Sequence, residues 1–302
     1  MKTIKCIMII VLVSLFTVCG KGDSSKTKNK LTAAVSILPQ KYFLERIGGD
    51  RVNVIVLVGA GQSPHSYDPT PVQMSALSMA DIWILSDTDF EIGLKPRIAS
   101  QYPSLKIIDG TQGVKFRLLE DHHHDGDIDD EHSKENHSTN IDRHTWLGRE
   151  PVKIMSGHIF SVLVEKDPAG REYYEANYKA LITDIDTAFD NLKIKLAPLS
   201  GRSVLVFHPA FGYFLDEFGI EQVAVETGGK EPTAKDLIAI INQAKAVNTH
   251  AIFVQMQFPV TAAKTVADSV GAKVIMLDPL SDNWLVNINI MGDVLGKDLT
   301  SK

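Results

Sequence analysis

The sequence predicts an α/β protein of two lobes, each a parallel sheet flanked by helices, joined by one long rigid helix. Three observations carry this expectation. Short, nearly continuous Val/Ile/Leu runs alternate with helical stretches from Leu31 onward, the pattern of strands buried on both faces of a parallel sheet. The same grammar returns after Ser200. Between the halves lies one unusually long amphipathic stretch, and 302 residues suit two domains at roughly 150 residues each.

The chain begins with Lys2 and Lys5, followed by an apolar run from Ile7 to Val18 broken only by Ser14 and Thr17. That run is shorter than the ~20 residues of a transmembrane helix and fits an export signal over residues 1–18. Cys19 follows at once and is the expected lipidation site, with Gly20 and a Ser/Lys/Asn-rich tether completing residues 19–30. The other cysteine, Cys6, lies inside the signal. The mature chain is therefore expected to have no disulfide and no cysteine ligand, so any metal must be held by His, Asp and Glu.

Residues 31–166 are expected to form the N-terminal lobe. Its strand candidates are Leu31–Ile37, Val52–Val58, Ile82–Leu85 and Leu105–Ile108, with a helix over Pro39–Ile47 ended by Gly48-Gly49. Residues 167–197 are expected to be the linking helix, with Asp167 as its cap and Pro168 at its first position. Tyr174, Tyr178, Leu181, Ile185, Phe189, Leu192 and Leu196 recur in steps of three and four and form one apolar stripe. About 30 residues at 1.5 Å each reach roughly 45 Å, enough to run across two lobes. Residues 198–302 are expected to form the C-terminal lobe. Its strands are Val204–Phe207, Glu221–Val225, Ala251–Val254 and Lys273–Leu277, and its helices Phe211–Phe218, Thr233–Ala246, Val260–Val270 and Asn283–Leu299.

Acids outnumber bases, 37 to 31. This argues against a protein built to grip nucleic acid, which needs a basic surface. The phosphate-binding pattern G-x-x-x-x-G-K-[ST] is absent, so the chain is not expected to be an ATPase.

Ligands of open parallel sheets bind beyond the carboxyl ends of the strands. His208 directly follows one strand and Asp278 another, each with a proline after it to help end the strand. His65 lies in the loop after the second strand, among Pro64, Pro69 and Pro71, and His144 lies in Asp-Arg-His-Thr-Trp-Leu. Three imidazoles and a carboxylate suit tetrahedral zinc. Each residue also has an ordinary reading, since a loop histidine is usually no ligand and an aspartate after a strand often caps a helix. His158 and His250 are expected to be non-ligands, and the three tryptophans packing residues.

The segments Pro-His-Ser-Tyr-Asp-Pro-Thr-Pro from Pro64, Arg-His-Thr-Trp-Leu from Arg143 and His-Pro-Ala-Phe-Gly-Tyr-Phe from His208 stand around the long helix. Gly-Lys-Glu-Pro-Thr-Ala-Lys-Asp-Leu from Gly229 and Leu-Asp-Pro-Leu from Leu277 follow in the same order. In these segments the sequence resembles the metal-binding solute-binding proteins of bacterial zinc and manganese ABC importers, over nearly the whole of Leu31 to Lys302. The resemblance implies a metal cleft between the lobes, with His65, His144, His208 and Asp278 as ligands. It implies zinc as the transported ligand, with Mn2+ possible, and an ABC permease as partner. It implies an exported, lipid-anchored envelope protein, acting as a monomer and binding no nucleic acid.

Two departures stand out. Family members often have Asp-Pro-His where this chain has Asp142-Arg143-His144, and a glutamate and proline after the Ala251–Val254 strand, where it has Gln255-Met256-Gln257-Phe258. Manganese-type members commonly carry a carboxylate at the position of His208; imidazole favours zinc.

Residues 120–137 hold His122, His123, His124, His132 and His137 among acids. Eight acids and one lysine fall in residues 120–135, so most of the mature chain's negative charge sits there. Similar loops occur here in zinc-type members, and weak, exchangeable metal capture is the expected role. A zinc hydrolase is the rival from another class, requiring an open water position beside a general base. A manganese- or iron-type binding protein is the rival within the fold. A cell-adhesion role belongs to the family's naming, with no sequence feature of its own here.

Overall fold

The computed structural model describes residues 30–119, 141–225, 233–246, 250–258 and 260–298. The expected export signal, Cys19 and the histidines of residues 120–137 lie outside the described residues. Among the described residues no helix is long and apolar enough to cross a membrane.

The N-terminal lobe runs β1 (Leu31–Ile37), α1 (Leu38–Gly48), β2 (Val52–Val58), α2 (Pro71–Ser78), β3 (Ile82–Leu85), α3 (Asp89–Gln101), β4 (Lys106–Asp109) and α4 (Arg149–Lys166). Its strands pair in parallel in the order β2-β1-β3-β4. Val35 lies between Val56 and Ile84 in that register. After α5 (Arg171–Leu196) the C-terminal lobe runs β5 (Ser203–Val206), α6 (Gly212–Asp216), β6 (Glu221–Ala224), α7 (Ala234–Ala246), β7 (Ala251–Gln255), α8 (Thr261–Val270), β8 (Lys273–Leu277) and α9 (Trp284–Asp298). Its order, β6-β5-β7-β8, repeats that of the first lobe. In each sheet the chain steps outward and then returns past its first strand. That reversal opens a crevice at the carboxyl ends, where ligands of such sheets bind.

The strands expected at Leu105–Ile108 and Val204–Phe207 are each displaced by one residue, the ordinary uncertainty of an end. The long helix differs at its start. Residues Pro168–Gly170 form a 3-10 turn and α5 begins at Arg171. Asp167 makes no side-chain cap. Its carboxylate instead takes hydrogen bonds from Arg51 Nε at 2.9 Å and from the Tyr174 hydroxyl at 2.9 Å. An arginine brought in from a distant segment outcompetes the local cap, because charge-assisted bonds are the stronger ones.

The apolar stripe of α5 is buried at Tyr174, Leu181, Ile185, Phe189, Leu192 and Leu196. It packs on α1 and α4 of one lobe and on α9 of the other. One core therefore runs through both lobes, from Val35 and Phe43 through Phe189 to Phe214 and Trp284. Smaller cores close the outer faces, one around Trp83 and one around Val254. At the middle of the shared core Trp284 donates through Nε1 to the Trp146 carbonyl at 2.6 Å, and Trp146 donates to the Pro279 carbonyl at 2.8 Å. All three tryptophans are buried packing residues.

Candidate metal centre

His65 is held by a loop fixed at both ends. At the far end the Thr70 hydroxyl accepts from the Gln73 amide and Gln73 Oε1 from the Thr70 amide, a reciprocal cap for α2 with Pro71 at its first turn. Gln73 Nε2 donates to the Leu57 carbonyl at 2.7 Å, tying that cap to β2. His144 directly precedes a 3-10 turn, Thr145–Leu147, that leads into α4, and is buried. His208 follows β5, buried, with its ring stacked on Phe258 at 4.7 Å and 24°.

The three imidazoles converge. His65 Nε2 lies 3.0 Å from His208 Nε2, which lies 3.2 Å from His144 Nε2. All three ligand atoms lie within 4.8 Å of one another. Tetrahedral zinc with bonds of about 2.0 Å separates its nitrogens by about 3.3 Å, and the two separations from His208 are close to that. They line a cleft of about 580 Å3 with Asp89, Arg143 and Phe258.

The outward nitrogens show which tautomer points inward. His65 Nδ1 is 2.6 Å from Asp89 Oδ2, and His144 Nδ1 is 2.8 Å from Asp142 Oδ1. The hydrogen bond from His65 holds the Asp89 carboxyl below its ordinary range against the effect of burial. Burial opposes charge on Asp142, yet the bonds from His144 and Arg117 hold it low as well. Ionised carboxylates only accept, so both Nδ1 atoms carry a proton, and in the neutral rings each Nε2 presents a lone pair to the centre. His208 Nε2 faces both of these nitrogens, a place where a cation would meet all three imidazoles.

Each carboxylate is backed by an arginine. Arg117 reaches Asp142 Oδ2 at 2.8 Å. Arg143 Nε stands 3.5 Å from Asp89 Oδ1, and its NH1 bonds both the carbonyl and the carboxylate of Asp87. Asp87 has φ 58°, the left-handed region, where aspartate is among the tolerated residues. Burial pushes the Asp87 carboxyl up despite the adjacent Arg143.

Asp278 is not gathered into the three-histidine cluster. Its Oδ1 accepts from the Leu280 amide at 3.0 Å and from Gln257 Nε2 at 3.2 Å. Gln255, the last residue of β7, bonds the His208 carbonyl through Nε2 at 2.9 Å, so Gln255 and Gln257 both touch the site's frame. His158 bonds the Gln112 carbonyl at 2.8 Å. His250 stands at the entrance to β7, at its amino end, away from the carboxyl ends that carry the cluster.

Sequence reasoning missed Asp89, Asp142, Arg117 and Arg143 as the frame behind the imidazoles. Asp89 was accessible to the same rule that found His208, because it stands just past the end of β3. Nothing local marks Arg117, which is 25 residues from Asp142.

The chain is similar to known proteins over most of its length. The family model described as zinc-uptake complex component A, periplasmic, matches residues 34–286. The high-affinity zinc uptake system protein ZnuA of Bacillus subtilis is 24% identical over 88% of this chain and 85% of its own. The manganese-binding lipoprotein MntA of Halalkalibacterium halodurans is 24% identical over 91% of this chain and 88% of its own. A crystal structure of ZnuA superposes with a TM-score of 0.80 at 33% identity, covering 89% of this chain and 99% of that one. With a family match across most of its length, the chain belongs to the periplasmic zinc-uptake component A family, metal-binding solute-binding proteins rather than enzymes.

Proposed function

We propose that the protein captures zinc outside the cytoplasm and hands it to a membrane ABC import permease. The observation that carries this reading is the convergence of three Nε2 atoms, His65 and His144 from one lobe and His208 from the other. Imidazole donors suit zinc, and a manganese site would draw on more carboxylate oxygen. Asp278 is proposed as the fourth donor of the loaded protein; its Oδ1 is occupied by Leu280 and Gln257, which leaves Oδ2 to turn toward the cation. Cargo held between lobes is released when they separate, so transfer requires no chemistry beyond ligand exchange.

Export and a lipid anchor at Cys19 belong to the same reading, as does action as a monomer. So does weak capture by the histidines of residues 120–137: their deletion is expected to lower total zinc stoichiometry and leave one tight site. The manganese reading has its own support in the manganese-binding relative and in Asp278. Competition titration with zinc and manganese separates the two. Wild type is expected to take one equivalent of zinc tightly, in preference to manganese, and His208→Ala to lose that site. Undiminished tight binding by His208→Ala would overturn the ligand set, and a preference for manganese would overturn the cargo.

A further inference from the structure

We infer that Arg117 is a positioning residue for the metal site, clasping Asp142, the carboxylate behind His144, to Asp216 of the opposite lobe. The inference rests on the reading of the three histidines as the cargo site and adds a path by which contact between the lobes reaches one of them.

Asp142 is fully buried and divides its two oxygens. Oδ1 takes the His144 ring at 2.8 Å and the His144 amide at 2.9 Å. Oδ2 takes Arg117 NH1 at 2.8 Å. The same guanidinium gives Nε to Asp216 Oδ2 at 2.9 Å, and Asp216 is the last residue of α6 in the C-terminal lobe. Arg117 is thus the middle of a chain His144–Asp142–Arg117–Asp216 that begins at the metal site and ends in the other lobe.

Two further contacts fit α6 to this purpose. The Tyr213 hydroxyl accepts from the Arg117 amide at 3.0 Å and donates to the Asp142 carbonyl at 2.9 Å. A methyl group on Gly212 would fall 1.8 Å from Arg117 NH1, so the guanidinium occupies the space beside a residue without a side chain. One short helix of the C-terminal lobe therefore holds the backbone of Arg117 and of Asp142 and the side chain of Arg117.

The physical consequence is directional. A carboxylate tied at both oxygens has a fixed plane, and that plane sets the orientation of the imidazole bonded to it. When the lobes part, Arg117 loses Asp216 and Tyr213, and the Asp142–His144 pair loses part of its frame. Zinc affinity at His144 then falls with lobe separation. Arg143, the corresponding arginine behind His65, pairs with Asp87 and Asp89 of its own lobe and carries no such coupling.

The test is a double-mutant cycle on zinc affinity with Asp216→Asn, Arg117→Gln and the pair, beside 15N spectra of the His144 ring in metal-free protein. Asp216 is 53% exposed, so its asparagine variant leaves the core intact. Arg117→Lys replaces the glutamine variant should that one fail to fold. Asp216→Asn is expected to weaken zinc binding about threefold to tenfold. Arg117→Gln is expected to weaken it about tenfold to a hundredfold, and the pair no more than Arg117→Gln alone. Asp216→Asn combined with Arg143→Gln is expected to be additive. The His144 Nδ1 resonance is expected to move in Asp216→Asn. Wild-type affinity with an unmoved ring in Asp216→Asn, or losses from Asp216 and Arg117 that add in full, would overturn the clasp. A wild type that binds no zinc would instead sink the cargo assignment, and the ring spectrum then decides the clasp alone.

Discussion

His65 and His208 are 143 residues apart in sequence and belong to different lobes, yet their Nε2 atoms stand 3.0 Å apart. The pair is an interlobe contact made of two of the proposed ligand atoms. On the proposed ligand set, lobe position and cargo occupancy are coupled, and substitutions in the frame should read out as changes in metal affinity.

The first concerns Asp89. Its bond to His65 Nδ1 fixes which nitrogen points inward. Asp89→Asn lets the amide accept or donate, so the ring is free to take the wrong tautomer. Zinc affinity is expected to fall about tenfold to a hundredfold, the usual cost of such a partner, with little change in metal-free stability. Calorimetric titration beside thermal melts separates the two.

Asp278 distinguishes a primary from a supporting donor. Asp278→Asn is expected to weaken zinc less than His144→Ala does. X-ray absorption on the zinc-loaded wild type should show three nitrogens and one oxygen, with the oxygen altered in the variant. Identical spectra would remove Asp278 from the coordination sphere.

Trp284→Phe tests the packing that joins the lobes. It deletes the donor to the Trp146 carbonyl and leaves that buried oxygen unpaired. The loss is expected to be about 1–3 kcal/mol by urea denaturation, the cost of an unsatisfied buried group.

Glu91 sets a pH dependence. It is buried and accepts from the Ser86 amide at 2.9 Å and the Thr88 amide at 3.0 Å, at the turn that carries Asp89. Burial raises its carboxyl from 4.5 to about 7 against those bonds. Between these values the folded chain holds a proton that the unfolded chain has lost. Its contribution to stability is therefore full below 4.5 and is lost as the pH rises through about 7. Glu91→Gln resembles the protonated form at every pH. Melts at pH 5 and pH 8 should show wild type losing more stability on alkalinisation than the variant; parallel curves would contradict this.

Much of the fold was legible because its signals are local. Buried parallel strands read as short apolar runs, and the stripe of α5 recurs at helical spacing, whatever lies around them. His208 and Asp278 were legible for the same reason, as polar residues just past strand ends. The start of α5 was not, because Asp167 spends its carboxylate on Arg51 and Tyr174, and only the folded chain brings Arg51 there.

By itself the sequence determined two α/β halves, a helix long enough to join them and histidines at the ends where ligands bind. Hydrophobic periodicity and strand ends are properties of neighbouring residues. Only the tertiary structure decided that His65, His144 and His208 meet while Asp278 is held by Leu280 and Gln257. It also decided that the two inner histidines of the first lobe are framed by Asp89 and Asp142 with an arginine behind each. Those relations depend on how two sheets are set against one shared helix core, and no spacing along the chain encodes that angle.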